Sequence, residues 1–341
     1  MPHLLAVQGD VKSPPTRALA LKLLINEGEK RPDMLRQRVC AGIVQAYHFQ
    51  NSVYNASGRG ATALLTRDEA GRSVTETIFD AVIKESGMKN KRAQREGLLK
   101  GILSLFEKDP GEQFDHGKLP LLSFAAEILA HLPYTTLNDP LFCVYNASCI
   151  STLDGQTVVK ALAEVVGGDV CDPNSGEDEI EQAVKKGNFD AKKFGLKEKE
   201  KEFGQLCVDA SRIIPLLLLK NFLRKAYSLS EARIVEYLPS EKERINEKGV
   251  SIQPDMQFSC KPLPLFIAGK LNWSIAAKVY TNLRQLMRDS ETALVADEVK
   301  KSPKRSRGGR KRARSSSGDD ADSSPAPGKI TSSSPKVSPP S

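Results

Sequence analysis

Apolar residues in this chain recur at spacings of three and four over one segment after another, with short proline-, glycine- or polar-rich breaks between the segments. After Pro32, for example, Leu35, Val39 and Ile43 would share one face of a helix. A similar stripe ends at Phe106, just before an Asp-Pro-Gly break. No strong alternation typical of strands interrupts this pattern. We therefore predict an all-α fold built from successive amphipathic helices.

One pair of these predicted helices occupies roughly 40 residues, which is the period of HEAT and armadillo repeats. In such solenoids each pair buries its apolar face against its neighbours. We therefore predict a HEAT-type α-solenoid over residues 1–166. A second helical region is predicted over 202–298, where Pro215 either kinks a long apolar helix or marks its start.

Two segments depart from the helical pattern. Residues 167–201 are rich in Asp, Glu, Lys and Gly, which predicts a flexible charged insertion with room for a short helix. A last helix is predicted over roughly residues 273–295. Residues 299–341 then offer almost nothing to bury, so they are predicted to form a disordered tail.

The charge of the chain is concentrated in this tail. The last 42 residues hold 11 Lys/Arg and three Asp, which accounts for the whole net charge of +8. The first 299 residues hold 39 basic and 39 acidic side chains. Attraction to polyanions through bulk charge is therefore predicted to come from the tail alone.

The tail opens with a basic run in which nine of fifteen residues are Lys or Arg. Such a run is typical of a nuclear-import signal or a solubilising tail. It is also compatible with sequence-independent contacts to DNA phosphates, because mobile Lys and Arg release counterions on binding. The nine residues are Lys300, Lys301, Lys304, Arg305, Arg307, Arg310, Lys311, Arg312 and Arg314.

Two Ser-Pro pairs in the tail fit the pattern of proline-directed phosphorylation. They begin at Ser302, inside the basic run, and at Ser334 near the end of the chain. A phosphate on Ser302 would subtract about 1.5–2 charges from the basic run and weaken its binding to polyanions.

A second group of cations lies on the long apolar helix. Lys220 and Arg224 share one helix face through their i, i+4 spacing, with Lys225 beside them and Arg233 further along. One interpretation is the ordinary solvated side of an amphipathic helix. The other is a basic ridge that contacts DNA or an acidic partner surface.

Sequence signatures of catalysis and cofactor binding are absent. There is no phosphate loop, dinucleotide fingerprint, nucleophile elbow or H-E-x-x-H motif. The four histidines are far apart and the six cysteines form no C-x-x-C pair, so no metal site is predicted. No apolar run approaches the roughly 18–20 residues of a membrane helix. We predict a binding protein that is not an enzyme and has no cofactor, metal or membrane partner.

Several segments resemble one family. They are Leu-Leu-Leu-Lys-Asn-Phe-Leu-Arg at 217–224, Tyr-Ser-Leu-Ser-Glu-Ala-Arg at 227–233, Tyr-Leu-Pro-Ser-Glu at 237–241, Leu-Pro-Tyr-Thr-Thr at 132–136, Asp-Pro-Leu-Phe at 139–142, and the opening stretch from Pro2 to Gln50. These segments cover about residues 1–290 in the right order, and they resemble the C-terminal domain of the Nipped-B-like, or sister chromatid cohesion, cohesin loaders.

This resemblance implies a hook-like HEAT-repeat protein in the nucleus, associated with chromosomes. It also implies that the full-length loader engages the cohesin complex together with a small partner subunit, promotes ATP hydrolysis by cohesin and helps to place cohesin on DNA. The ATPase sites would then lie in cohesin. Residues 202–298 would be the C-terminal helical domain of the loader type.

The chain also departs from the family. Loaders of this kind are far longer, and this sequence begins within the predicted solenoid, so the region that binds the loader's partner subunit is not part of it. Met1 is either a genuine start or the result of a truncation. The charged insertion and the basic tail match no family feature. The alternative is an unrelated HEAT scaffold of the nuclear-transport or condensin type, which binds proteins and has no role on DNA.

Overall fold

The protein is described by a computed structural model that covers most of residues 92–301 and isolated parts of the N-terminal region. The described residues are 3–4, 13–31, 38, 40–45, 47–48, 92–109, 111–132, 134, 136–167, 179–240, 248–251 and 256–301, with the backbone alone over 291–301. They form α1 (Pro14–Lys30), α2 (Arg92–Leu103), α3 (Leu119–His131), α4 (Asn138–Val166), α5 (Glu179–Lys185), α6 (Glu200–Ala226), α7 (Glu231–Val235), β1 (Phe266–Ile267), β2 (Lys270–Leu271) and α8 (Trp273–Lys301).

The long helices pack against one another in the order in which they follow along the chain. Helix α4 lies against α2, α6 lies against α4, and α8 lies against α6, while α3 packs on α6. Within the described residues, strands are limited to β1 and β2, a two-stranded antiparallel hairpin that pairs Phe266 with Leu271. The prediction of an all-α solenoid is therefore confirmed.

Helices α4 and α6 each contribute to two hydrophobic cores. The first core contains Ile102 of α2, Leu129 of α3 and Leu141 near the start of α4, together with the second half of α6. The second core contains Leu162 near the end of α4 and Val279 of α8, together with the first half of α6. Helices α4 and α6 therefore connect the two cores through their own backbones.

Helix α6 continues through Pro215 from Glu200 to Ala226, so the proline does not mark its start. Proline removes one backbone N–H from the ladder, which leaves the Ser211 carbonyl four residues earlier without its helical donor. The flanking residues Ile213, Leu216 and Leu219 are fully buried on the two cores. Packing on both sides therefore keeps a helix where local preference alone would interrupt it.

The segment predicted as a flexible charged insertion is packed over much of its length. In the part from 179 onward, Ile180, Ala191 and Leu196 are buried in the second core. Residues 168–178 lie outside the described part of the chain. The three buried residues are too widely spaced among lysines and acids to form a recognisable apolar stripe, so composition alone predicted a solvated segment.

The end of the last helix also differs from the prediction. Helix α8 continues to Lys301, which places Lys300 and Lys301 on a helix, where the sequence predicted a disordered tail from residue 299. Across the described part of the chain, no helix combines the length and apolarity needed to cross a membrane.

Candidate functional site

Most of the basic tail lies outside the described residues. This holds for Ser302 and Ser334 and for every predicted tail cation except the two on α8. The predictions of nuclear import, DNA contact and phosphorylation in the tail therefore remain predictions.

The structure turns the two central cations of the predicted ridge toward a carboxylate. The Lys220 ammonium lies 3.5 Å from Oε2 of Glu231, and the Arg224 guanidinium donates to Oε1 of the same residue. Lys220 also donates to Oγ of Ser290 on α8 at 2.8 Å. Since the side chains of Lys220 and Glu231 are almost fully buried, this is an interior ion pair that joins α6, α7 and α8.

Lys220 therefore lies neither on a solvated helix face nor on an exposed ridge. Glu231 reaches it because the chain reverses between α6 and α7, where Ser228 adopts φ +52° and Ser230 caps α7 by accepting from the Arg233 amide. Of the four predicted residues, Lys225 is exposed and Arg233 is half-buried. The cations were visible in the sequence, but the acid that meets them comes from a later helix.

Burial lowers the pKa of the Lys220 ammonium, and the nearby Glu231 carboxylate acts in the opposite direction. Desolvation disfavours a charged amine unless opposite charge and hydrogen bonds replace the lost water. The lowered pKa thus indicates that Glu231 and Ser290 replace the hydration of this ammonium only in part.

A different group of lysines is exposed on the segment between α5 and α6. The span 185–197 contains five lysines and one carboxylate, that of Asp190. All five side chains are exposed. We call this group the lysine surface, and its members are Lys185, Lys186, Lys192, Lys193 and Lys197.

Aromatic rings are interleaved with these lysines. The rings of Phe189 and Phe194 are stacked, with centroids 5.7 Å apart and planes 9° apart. The Lys193 ammonium lies 6.0 Å from the centroid of the Phe194 ring. Exposed cations supported by aromatic rings are a combination used in contacts with nucleic-acid backbones and bases.

The lysine surface is fixed to the folded body at both ends. At one end, Glu181 of α5 accepts two hydrogen bonds from Arg288 of α8, at 2.8 and 3.0 Å. At the other end, Lys199 donates to the Val165 carbonyl at 2.9 Å, where α4 ends at Gly167 with φ +76°. A cation at a helix C-terminus is stabilised by the unpaired carbonyls there.

A groove of about 560 Å³ separates the lysine surface from α8. Lys197 lines the groove from the lysine surface and Lys278 lines it from α8, and Phe189, Trp273 and the carboxylate of Asp190 also line it. These two cations would attract a phosphate chain laid along the groove.

Sequence reasoning missed the lysine surface because the charge was summed over 299 residues. In that total, acidic residues elsewhere cancel the charge of the five lysines. They include three exposed acids that follow directly in the sequence, Glu198, Glu200 and Glu202. A net charge taken over a window of about one helix length would have revealed the local excess.

The buried thiols have the chemistry of core residues. Burial raises the pKa of Cys143 to about 12 and that of Cys260 to about 11, so both are protonated at neutral pH. Among the described residues, no group of three or more His, Cys, Asp or Glu side chains is arranged to hold a metal ion.

Comparison with known proteins gives one family match and several relatives. Residues 1–150 match the family described as Sister chromatid cohesion C-terminus. The chain is 26% identical to the Nipped-B-like protein scc-2 of Caenorhabditis elegans over 185 residues, which is 52% of this chain and 8% of that protein. It is 20% identical to the Nipped-B-like protein of Mus musculus over 294 residues, which is 76% of this chain and 10% of that protein.

The Nipped-B protein of Drosophila melanogaster is 24% identical over 157 residues, covering 44% of this chain and 7% of that protein. No solved structure matches the chain. The chain thus spans a tenth or less of the length of these relatives. The resemblance found in the sequence is confirmed: residues 1–150 are similar to the sister chromatid cohesion C-terminus family, and the Nipped-B relatives agree with that match.

Proposed function

We propose that the chain is part of a cohesin loader and acts as a scaffold, without catalysis of its own, that engages cohesin and DNA in the nucleus. The observation that carries this proposal is the match of residues 1–150 to a sister chromatid cohesion family. The stacked helices support a scaffolding role, because a solenoid offers a long surface for partners. Any ATP hydrolysis that the chain stimulates would take place in cohesin.

Within this proposal, the lysine surface is the DNA contact of the folded body. Its five exposed lysines and the groove beside it supply cations at several points along one face. Such a surface neutralises phosphates without reading base sequence. The basic run of the tail would add to it, while the buried Lys220 and Arg224 would not.

Co-precipitation from nuclear extract tests the cohesin part. The full chain is expected to retain cohesin subunits, detected by immunoblot, and to raise the rate of ATP hydrolysis by purified cohesin in the presence of DNA. Retention of transport or condensin subunits in their place would favour the alternative of an unrelated HEAT scaffold and would contradict the proposal.

Fluorescence anisotropy with a labelled DNA duplex tests the DNA part. The variant Lys192→Glu/Lys193→Glu/Lys197→Glu is expected to bind more weakly, and the slope of log K against log salt should flatten by roughly one for each lysine that contacts a phosphate. The matched control reverses three exposed lysines elsewhere, Lys100, Lys118 and Lys261. Equal losses in both variants would show that only the overall charge matters.

A further inference from the structure

A second groove, of about 320 Å³, opens where α4, α6, α7 and α8 meet. We call it the α7 groove. Its floor contains apolar side chains from three helices, Leu217, Ile234 and Met287. Helix α4 approaches closely here, since a methyl group added at Gly155 would meet the Met287 sulfur at 2.8 Å. Five residues of α4 form one wall of the groove, and Ser290 of α8 also lines it.

Large apolar residues are exposed at the edge of the α7 groove. Val235 lines the groove and is 65% exposed. Leu153 is 71% exposed and shares a face of α4 with the lining residues Cys149 and Gln156 by helical spacing. Apolar surface around a concave site is typical of a contact with a partner.

The polar groups in the α7 groove have unused hydrogen-bonding capacity. Lys220 has three donors, and among the described residues two groups meet its ammonium, Ser290 and Glu231. The hydroxyl of Ser148 lines the same groove and is buried, and none of the described residues forms a hydrogen bond with it. A buried donor without an acceptor is costly, so an acceptor supplied from outside would be favoured here.

The charge around the α7 groove favours an anionic acceptor. Lys220 and Glu231 line the groove, and Arg224, which lies outside the lining, shares the same carboxylate, so these three side chains together carry one more positive than negative charge. In a partly desolvated site the interaction between charges is stronger than in water. A carboxylate would therefore fit this position better than a neutral amide of the same shape.

We propose that the α7 groove docks a segment of a partner protein in which an apolar side chain stands next to an Asp or Glu. The apolar side chain would pack between Val235 and the α4 wall, and the carboxylate would accept from Lys220. This contact is separate from the lysine surface and does not depend on the identity of the partner as cohesin.

The test uses arrays of short immobilised peptides probed with the full chain. One set presents Leu, Ile, Met or Phe beside Asp or Glu, and the matched set carries Asn or Gln at the acidic positions. The chain is expected to bind the best acidic peptides about tenfold more tightly than their amide counterparts, the factor expected from one hydrogen bond between charged groups. Lys220→Met should remove this preference.

Two further variants keep the test decisive if Lys220→Met fails to fold, as judged by circular dichroism. Val235→Asp and Leu153→Asp change exposed positions and are expected to abolish retention of both peptide sets. Ile267→Asp is the matched control, because Ile267 is 60% exposed and lies on the β hairpin, outside the lining of the α7 groove.

Three results would overturn the proposal. They are equal retention of acidic and amide peptides, no retention of either set by the unsubstituted chain, and a preference that survives Lys220→Met in a folded protein. A dimer seen by light scattering that Val235→Asp returns to a monomer would also overturn it, since the groove would then be occupied by a second copy of the chain.

Discussion

Two buried carboxylates in the described part of the chain are each held by two cations. Glu231 lies between Lys220 and Arg224, and Glu181 accepts from Arg288 with Arg284 beside it at 3.7 Å. Such arrangements join helices that are distant in sequence. Removing one member is costly because the remaining charge stays in the interior, whereas removing the set can be nearly neutral.

We expect Glu231→Gln to lower the free energy of unfolding by about 3–5 kcal/mol, because it leaves the Lys220 ammonium buried without a carboxylate. The double variant Glu231→Gln/Lys220→Met should recover much of this loss. Urea denaturation measures both. Glu164→Gln, at an exposed position of α4, is the control and should stay within about 0.5 kcal/mol. If the double variant lost as much free energy of unfolding as the two single variants lose in sum, that result would contradict this explanation.

A second buried network joins α2 to the start of α4 and the turn after α7. The Tyr237 hydroxyl donates to Oδ1 of Asn138 at 2.8 Å, and Nδ2 of Asn138 donates to Glu96 at 2.9 Å. Burial raises the pKa of Tyr237 to about 12, and the Glu96 carboxylate adds to this.

Because its pKa is raised, Tyr237 stays protonated in the fold after the unfolded chain has begun to ionise. Its contribution to stability is therefore complete below about pH 10, and it is lost as the pH rises toward about 12. We expect Tyr237→Phe to cost about 1–3 kcal/mol at pH 7, since Asn138 loses its donor. Urea denaturation at increasing pH measures the difference in the free energy of unfolding between the unsubstituted chain and Tyr237→Phe. This difference should narrow above pH 9 to 10, and a difference that stays constant with pH would contradict the explanation.

At the scale of secondary-structure elements, α5 and the lysine surface show which parts of the fold could be predicted from the sequence and which could not. The helices with regular apolar stripes were predictable, because the residues that bury them recur at helical spacing. The packing of residues 179–197 was not predictable in this way. Their composition is that of a solvated loop, and only a few well-separated residues, such as Ile180 and Leu196, anchor the segment in the second core.

Replacement of Leu196 by Ala tests this packing. Leu196 is fully buried in the second core, so we expect Leu196→Ala to lower the free energy of unfolding by about 2–5 kcal/mol. Amide hydrogen exchange should become faster over residues 179–199 before it does so in the rest of the fold. Lys197→Ala changes the exposed neighbour and should leave exchange unchanged. A negligible effect of Leu196→Ala would instead favour the flexible insertion predicted from composition.

For the whole molecule, the fold class and the resemblance to a known family followed from the sequence, while the interaction surfaces required the structure. Helical periodicity is local, so it could be read along the chain. Which acid meets Lys220, or which lysines face solvent together, depends on where the chain reverses. The burial of Lys220 fits neither interpretation of the four cations, the solvated helix face or the basic ridge, and the lysine surface was missed although each of its residues was visible.

If the chain binds DNA as proposed, the lysine surface and the basic run of the tail would both contribute. If both contact one duplex, each releases its own counterions, and their contributions to the slope of log K against log salt should add. Ser302 precedes most of the basic run, so Ser302→Asp places a negative charge among the cations that would contact phosphates.

We expect Ser302→Asp to flatten the salt dependence of DNA binding by up to about one, by removing the equivalent of a single phosphate contact. Ser334→Asp is the matched control, because Ser334 lies in the same tail but twenty residues beyond Arg314, the last cation of the basic run. In a variant that also carries Lys192→Glu, Lys193→Glu and Lys197→Glu, Ser302→Asp should flatten the slope further, by the same amount as it does alone. Identical slopes for Ser302→Asp and the unsubstituted chain would remove the tail from the DNA contact and leave the lysine surface to account for it.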